Sequence, residues 1–173
     1  MEMTDREMEL MEWVEGLDVE WLHSMGIYDY DICDGIVHVV GSVKCFYNEL
    51  KFIPVQFGYV SGDFICEGTD FQSLEGCPSE VGGDFYCSFN KLESLYGCPS
   101  EVGGDFVCNN NQLKSLKGCP KEVMKYFDCS SNNLTSLEGG PIMVGGNYYC
   151  HHNLFKVEPD HSHIKISGGF RWK

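Results

Sequence analysis

Cysteine and histidine are the residues of this 173-residue sequence whose types could support redox chemistry or metal binding, with ten and six copies respectively. Six cysteines recur at intervals of 21 residues, namely Cys45, Cys66, Cys87, Cys108, Cys129 and Cys150. Three more keep the same interval, namely Cys77, Cys98 and Cys119. No two cysteines form the Cys-x-x-Cys pair typical of zinc sites, so the spacing points away from a zinc knuckle.

Stacked parallel strands would place equivalent cysteines about 4.8 Å apart. A disulfide prefers a shorter separation of roughly 3.8 Å between β-carbons. The regular spacing therefore predicts columns of free thiols that pack as small apolar side chains. So many free thiols suit a reducing cytosol.

A group of histidines near the C-terminal end is the second candidate for chemistry: His151, His152, His161 and His163, with Asp160 beside them. Imidazole and carboxylate groups can bind a transition metal. We expect an exposed irregular segment here rather than a metal site. The sequence has no nucleophile motif, phosphate-binding loop or pair of catalytic carboxylates. We therefore predict a protein that is not an enzyme and uses no cofactor.

The cysteine interval belongs to a longer repeat. An apolar residue lies two positions before each cysteine of the first column: Val43, Phe64, Phe85, Phe106, Phe127 and Tyr148. Asparagine lies three positions after most of them, at Asn48, Asn90, Asn111, Asn132 and Asn153. We expect these amides to hydrogen-bond backbone groups of the turn that follows and to stack into a ladder. A short apolar alternation followed by asparagine, at a fixed period of 20–29 residues, indicates a solenoid. Each unit is too small to bury its own apolar face, so stacked units share one core.

The unit Phe-x-Cys-x-x-Asn-x-Leu-x-x-Leu resembles the leucine-rich repeat. Residues 73–87 read Ser-Leu-Glu-Gly-Cys-Pro-Ser-Glu-Val-Gly-Gly-Asp-Phe-Tyr-Cys, which is similar to units of short leucine-rich-repeat proteins of tailed bacteriophages. The likeness covers about Gly35 to Cys150. It implies an α/β solenoid of about six 21-residue coils, with a parallel β-sheet on one face and a binding role.

The two ends of the chain differ from the repeat. Residues 1–34 are predicted to form an N-terminal helical cap, with helices at 3–16 and 18–25, although these helices could instead be a separate interaction element. Residues 35–158 are predicted to form the leucine-rich-repeat solenoid. Residues 159–173 are predicted to form a C-terminal cap with a final strand, in which Phe170 and Trp172 take the Phe and Cys places.

A net charge of −14 sets limits on the partner. Such a field repels a phosphate backbone, so direct nucleic-acid binding is not expected. It attracts basic surfaces, although acidity also serves solubility alone. The acidic first residues lack the basic start and apolar centre of a signal peptide, and no apolar run is long enough to span a membrane. We expect a cytoplasmic protein without membrane partners.

Strand alternation predicts which side chains face outward and could bind a partner. These candidate partner-binding residues are Ile65, Tyr86, Val107, Tyr149, Phe46, Asp63, Asp84 and Asp105. Ile65, Tyr86 and Val107 are expected side by side as an exposed apolar patch, which marks an interface unless a loop covers it or strand propensity alone selected these residues. The three aspartates are expected about 5 Å apart, with raised pKa values.

These features predict a non-enzymatic protein-binding module. The phage resemblance implies a host protein as partner, host-cell cytoplasm as location and inhibition of a host defence factor as the role. The alternative is an acidic nucleic-acid mimic that occupies the basic cleft of a nucleic-acid-handling protein. Both a monomer and a homodimer are compatible with the sequence.

Overall fold

The computed structural model describes residues 19–45 and 53–173. In these residues the chain forms a β-solenoid whose stacked coils each contribute strands to two sheets. Sheet A has eight strands in the order β1-β2-β4-β6-β8-β10-β12-β14, and sheet B has seven in the order β15-β13-β11-β9-β7-β5-β3. All pairings are parallel except that of β1 with β2.

Most strands are only two residues long. Sheet A contains β1 Tyr30–Cys33, β2 Ile36–Val39, β4 Gln56–Val60, β6 Glu80–Val81, β8 Glu101–Val102, β10 Glu122–Val123, β12 Met143–Val144 and β14 Lys165–Ile166. Sheet B contains β3 Val43–Lys44, β5 Phe64–Ile65, β7 Phe85–Tyr86, β9 Phe106–Val107, β11 Phe127–Asp128, β13 Tyr148–Tyr149 and β15 Phe170–Arg171. In the part of the chain that the structure describes, one helix, α1, spans Val19–Ser24.

The core consists of residues that repeat at the same place in each coil. The rings of Phe64, Phe85, Phe106 and Phe127 stack with centroids 5.3–5.8 Å apart. The cysteines of the first column lie beside them and are fully buried. Because each coil covers the apolar residues of the coil before it, the core is continuous along the stack.

The repeated asparagines join neighbouring coils, as the sequence predicts. Asn111 accepts a hydrogen bond at Oδ1 from the backbone N–H of Leu92, at 3.0 Å. Its Nδ2 donates to the carbonyls of Cys87, at 2.9 Å, and Cys108, at 3.2 Å. Backbone groups that the two-residue strands leave unpaired are thereby satisfied inside the turn.

The solenoid of about six coils is confirmed, but the α/β class is not supported. The described residues contain one helix of six residues, and the second face of each coil carries a strand of sheet A where the α/β class requires helix. The prediction of one sheet fails because the Glu-Val dipeptides also pair from coil to coil, for example Glu80 with Glu101.

The helical N-terminal cap is not supported. Helix α1 lies within the predicted second helix and buries Leu22, while the ring of Trp21 lies 6.2 Å from that of Phe57. Strand β1 pairs antiparallel with β2 and forms one edge of sheet A. The predicted helix at 3–16 lies outside the described residues, and the division at residues 34 and 158 stays a prediction.

At the C-terminal end the strands continue past the irregular segment after Asn153. Strand β14 pairs with β12, and β15 pairs with β13, so that Phe170 lies beside Tyr148. The ring of His161 stacks on Phe170 with centroids 3.8 Å apart. No helix in the described part of the chain has the length and apolar character needed to cross a membrane.

Candidate functional site

The outward side of sheet B carries the candidate site. Its central column consists of the second residue of each strand: Lys44, Ile65, Tyr86, Val107, Asp128, Tyr149 and Arg171. We call this column and its flanking residues the sheet B face. Four members are half-buried, Lys44 and Arg171 are exposed, and Val107 is buried. Phe46, also predicted for this face, lies outside the described residues.

Val107 does not form the exposed patch expected from the sequence, because only 6% of it is exposed. Tyr86 lies on β7, Tyr126 immediately precedes β11, and the two phenols are near enough for each to shift the pKa of the other. Because β9 lies between these strands, the phenols extend over the β9 coil. The surface here is therefore phenolic rather than aliphatic.

The aspartate column forms a ladder along one edge of the sheet B face. Asp63 Oδ1 accepts from the backbone N–H of Asp84, at 2.9 Å, and Asp84 Oδ1 accepts from that of Asp105, at 2.8 Å. Asp105 Oδ1 accepts from the N–H of Tyr126 at 3.0 Å. Asn147 does the same for Gly169, at 2.7 Å. Each side chain therefore satisfies a donor of the next coil, which gives the column a structural role.

Glycine before each aspartate makes this ladder sterically possible. A β-carbon on Gly104 would collide with Oδ1 of Asp84, and one on Gly83 would collide with Oδ1 of Asp63. The repeated Gly-Gly-Asp sequence is thus explained by the close approach of one coil's carboxylate to the next coil's backbone.

The pKa of Asp84 is lowered, so the expected increase from like-charge repulsion is wrong. Burial acts to raise this pKa, but the N–H of Asp105 and the ammonium group of Lys125 outweigh it. Lys125 Nζ lies 3.3 Å from Asp84 Oδ1. Only 19% of the Asp84 side chain is exposed, yet the carboxylate remains charged because it accepts hydrogen bonds.

Tyr86 adds a neutral donor to the acidic edge. Its hydroxyl lies 3.2 Å from Asp84 Oδ2 and 3.4 Å from Asp105 Oδ2. Burial, the neighbouring phenol of Tyr126 and the nearby carboxylates raise the pKa of Tyr86. The phenol therefore keeps its proton at neutral pH and contacts both Asp84 and Asp105 of the ladder.

A second aromatic group lies towards the C-terminal end of the face. The rings of Tyr126 and Tyr149 meet edge to face with centroids 6.1 Å apart. Asn147 Nδ2 donates to the Tyr149 hydroxyl at 2.8 Å, and the guanidinium carbon of Arg171 lies 5.9 Å from the Tyr149 ring centroid. Tyr149 is thus held in place by a polar neighbour and by a cation.

Lys125 and Tyr126 belong to this site, although strand alternation in the sequence does not predict them. A break in the repeat is the sequence signal that indicates them. Met124-Lys125-Tyr126 stands where the preceding coil has Gly-Gly-Asp and the following coil has Gly-Gly-Asn. A departure from a structurally explained motif indicates a residue selected for another reason.

The opposite edge of the face is polar. Asn109 Nδ2 donates to Asp128 Oδ2 at 3.1 Å, and Ser130 Oγ donates to Asp128 Oδ1 at 2.6 Å. Ser88 occupies the equivalent place beside Tyr86 and is fully buried. Ser88 Oγ and Asn109 Oδ1 have no hydrogen-bond partner within the described residues. This edge therefore has unused hydrogen-bonding capacity.

The histidine cluster does not come together as one site. His151 and His152 are neighbours with ring centroids 4.9 Å apart, whereas His161 packs on Phe170. His163 lines a separate cleft of about 920 Å³ together with Leu154. Within residues 19–45 and 53–173, no three His, Cys, Asp or Glu side chains are grouped to hold a metal ion.

The fold defines the class of the chain as a parallel β-solenoid with a 21-residue repeat. Comparison with protein-family models, curated proteins and solved structures gives no match. Its functional interpretation therefore depends on the chemistry of the sheet B face.

Proposed function

We propose that this protein is a non-enzymatic binding module that recognises another protein through the sheet B face. The observation that carries the proposal is the phenol and carboxylate network, in which Tyr86 contacts both Asp84 and Asp105. Tyrosine is a favoured anchor in protein interfaces, because it offers apolar area and a polar end at low entropic cost. A network fixed by backbone hydrogen bonds is already organised before a partner binds.

The source and partner follow from the resemblance of residues 35–150 to leucine-rich-repeat proteins of tailed bacteriophages. On that basis the chain is phage-encoded, acts in the host cytoplasm and binds a host protein, with inhibition of a host defence factor as its role. The chain departs from a leucine-rich repeat in carrying a second parallel sheet, so the resemblance supports the binding role more than any particular activity.

An acidic nucleic-acid mimic is the second candidate function. A further column of exposed carboxylates supports it, because Glu80, Glu101 and Glu122 lie on neighbouring strands of sheet A. Two acidic columns on a chain of net charge −14 would suit a basic cleft made for phosphates. Binding by such a mimic would depend on charge and on salt rather than on Tyr86.

Affinity capture from bacterial lysate distinguishes the two functions. The tagged protein is compared with the Ile65→Ala, Tyr86→Ala variant at about 0.1 M and about 0.5 M salt, since screening lengths shorten over this range. Tyr96→Ala is the matched control, because Tyr96 is 81% exposed and lies outside sheet B.

A partner that persists at high salt, is lost with the sheet B variant and is kept by Tyr96→Ala supports the proposed function. Nucleic-acid-handling proteins that appear only at low salt and bind both variants equally would favour the mimic. If no protein is captured under either condition, the binding role is contradicted.

A further inference from the structure

We infer that the partner presents an extended basic segment, whose arginine or lysine side chains lie on the sheet B face between the aspartate ladder and the Tyr126–Tyr149 pair. This inference rests on the proposed function and adds the chemistry of the partner. It differs from nucleic-acid mimicry because it requires the aromatic rings as well as the charges.

Charge complementarity is the first argument. The ladder places the half-buried Asp63 and Asp84 on one edge of the face, and Glu67 is exposed on the other. Asp105, predicted to face a partner, is instead only 7% exposed, so the accessible charge of the ladder is that of Asp63 and Asp84. Among the described residues, Lys125 is the only cation that forms a salt bridge with this ladder. Oδ1 of each ladder aspartate is used by the backbone, whereas Oδ2 of Asp63 accepts no hydrogen bond within the described residues. Negative charge therefore remains available to a partner.

The protein's own cations illustrate both contacts that a basic segment would make. Lys125 Nζ reaches Asp84 Oδ1 at 3.3 Å, although the lysine side chain is 62% exposed. Arg171 lies with its guanidinium carbon 5.9 Å from the centre of the Tyr149 ring. The carboxylate edge is thus accessible to an ammonium group, and the aromatic pair is accessible to a guanidinium group.

Unused polar atoms provide an independent argument. Asn109 and Ser130 both bond to the outward Asp128, so this column of side chains projects onto the sheet B face. Ser88 in the same column is 0% exposed, and its hydroxyl has no hydrogen-bond partner within the described residues. Asn109 Oδ1 is likewise without a donor there. Both atoms are enclosed, so a partner reaches them only when neighbouring side chains of this edge move aside. An arginine, with five N–H donors, can then satisfy such an acceptor while it pairs with a carboxylate.

The regular spacing of the ladder aspartates, one in each coil, favours an extended conformation of the partner's basic segment. Neighbouring strands of a sheet lie about 4.8 Å apart, so the acidic side chains recur at that interval along the stack. Alternate side chains of an extended segment recur about 6.6–6.8 Å apart, which long flexible lysine and arginine side chains can match. A compact helix would instead turn most of its basic residues away from so narrow a column.

Lys125 is expected to compete with the partner, because its ammonium group already pairs with the Asp84 carboxylate.

The inference is tested by titrating the ¹⁵N-labelled full chain with an alternating Arg-Gly decapeptide and following the amide signals by NMR. An alternating Glu-Gly decapeptide is the control ligand. We expect amide shifts confined to β5, β7, β9, β11 and β13 and their flanking residues.

Three variants make the test specific. The Asp84→Asn, Asp105→Asn variant removes two charges but keeps the ladder, since Asn147 already accepts from Gly169 in the same way. The Glu80→Gln, Glu101→Gln variant removes two charges from sheet A and is the matched control. We expect the first to weaken peptide binding about tenfold, the control to change it less than about twofold, and Lys125→Met to strengthen it severalfold.

Equal weakening by the two charge variants, or shifts spread over both sheets, would overturn the inference, since either would indicate a general acidic field. Binding of the Arg-Gly peptide no tighter than that of the Glu-Gly peptide would also overturn it. The proposed function would survive that last result if lysate capture still gave a partner lost with the Ile65→Ala, Tyr86→Ala variant.

Discussion

Asp84 Oδ1 lies 2.8 Å from the backbone nitrogen of Asp105, one coil further along the solenoid. The other carboxylate oxygen of Asp84 lies 3.2 Å from the hydroxyl of Tyr86. Oδ1 of Asp84 therefore joins two coils and also pairs with Lys125 at 3.3 Å, whereas Oδ2 contacts Tyr86. Because asparagine keeps the Oδ1 acceptor but carries no charge, substitutions can separate the backbone contact from the charge.

Replacing Asp84 should show this separation. Asp84→Ala leaves the N–H of Asp105 without its acceptor and should cost about 1–3 kcal/mol of unfolding free energy. Asp84→Asn retains an Oδ1 acceptor and should cost much less. Urea denaturation of the two variants provides the measurement. Equal losses would instead assign the effect to the charge and its contact with Lys125.

The buried asparagine ladder should contribute more to stability than the surface asparagines. Asn111→Ala removes the acceptor of the Leu92 N–H and the donor to two carbonyls, so about 2–4 kcal/mol should be lost. Asn133→Ala, in an exposed position of the following coil, should change stability by less than about 0.5 kcal/mol. Denaturation midpoints measure both, and similar losses would contradict the proposed role of the ladder.

Stability should fall at alkaline pH because of the thiol columns. Burial, with a smaller contribution from neighbouring groups, raises the pKa of Cys87, Cys108 and Cys129 well above the ordinary value. These thiols keep their protons in the folded state when the unfolded chain has lost them. The contribution of these thiols to the free energy of unfolding is therefore fully present below about pH 8.5. Above that pH it decreases by up to about 1.4 kcal/mol per pH unit for each thiol.

Urea unfolding with a reducing agent present, at about pH 8 and about pH 10, measures this loss. Cys33→Ser is the control, because Cys33 is exposed and its replacement should leave the pH dependence unchanged. A midpoint that does not change between these pH values would contradict the assignment of the columns as buried neutral thiols.

Thiol labelling should follow burial rather than cysteine number. All ten cysteines are free, one is exposed, one is partly exposed and eight are buried. In the folded protein a maleimide should modify Cys33 rapidly and Cys98 slowly, whereas all ten should react in denaturant. Mass spectrometry of the labelled chain measures this. Rapid modification of Cys108 in the folded protein would contradict a closed core.

The repeat made the solenoid predictable, because identical spacing of Phe, Cys and Asn admits few arrangements other than stacked coils. The sequence did not predict sheet A, since a Glu-Val dipeptide carries too little strand signal on its own. The sequence predicts the site in part, because strand alternation indicates Asp84 and Tyr86 but not Tyr126 or Lys125. Alternation also predicts that Val107 is exposed, because it cannot show that phenols from other coils extend over the Val107 coil.

The sequence by itself determined the repeat length, the inward Phe and Cys columns and the asparagine ladder, because each depends only on identity at a fixed interval. Tertiary structure decided how the coils use their other residues. Parallel stacking brings residues 21 positions apart into contact, so Asp84 accepts from Asp105, and Tyr86 meets Tyr126 across 40 positions of sequence. Such contacts depend on side-chain reach across neighbouring coils, which spacing along the chain does not encode.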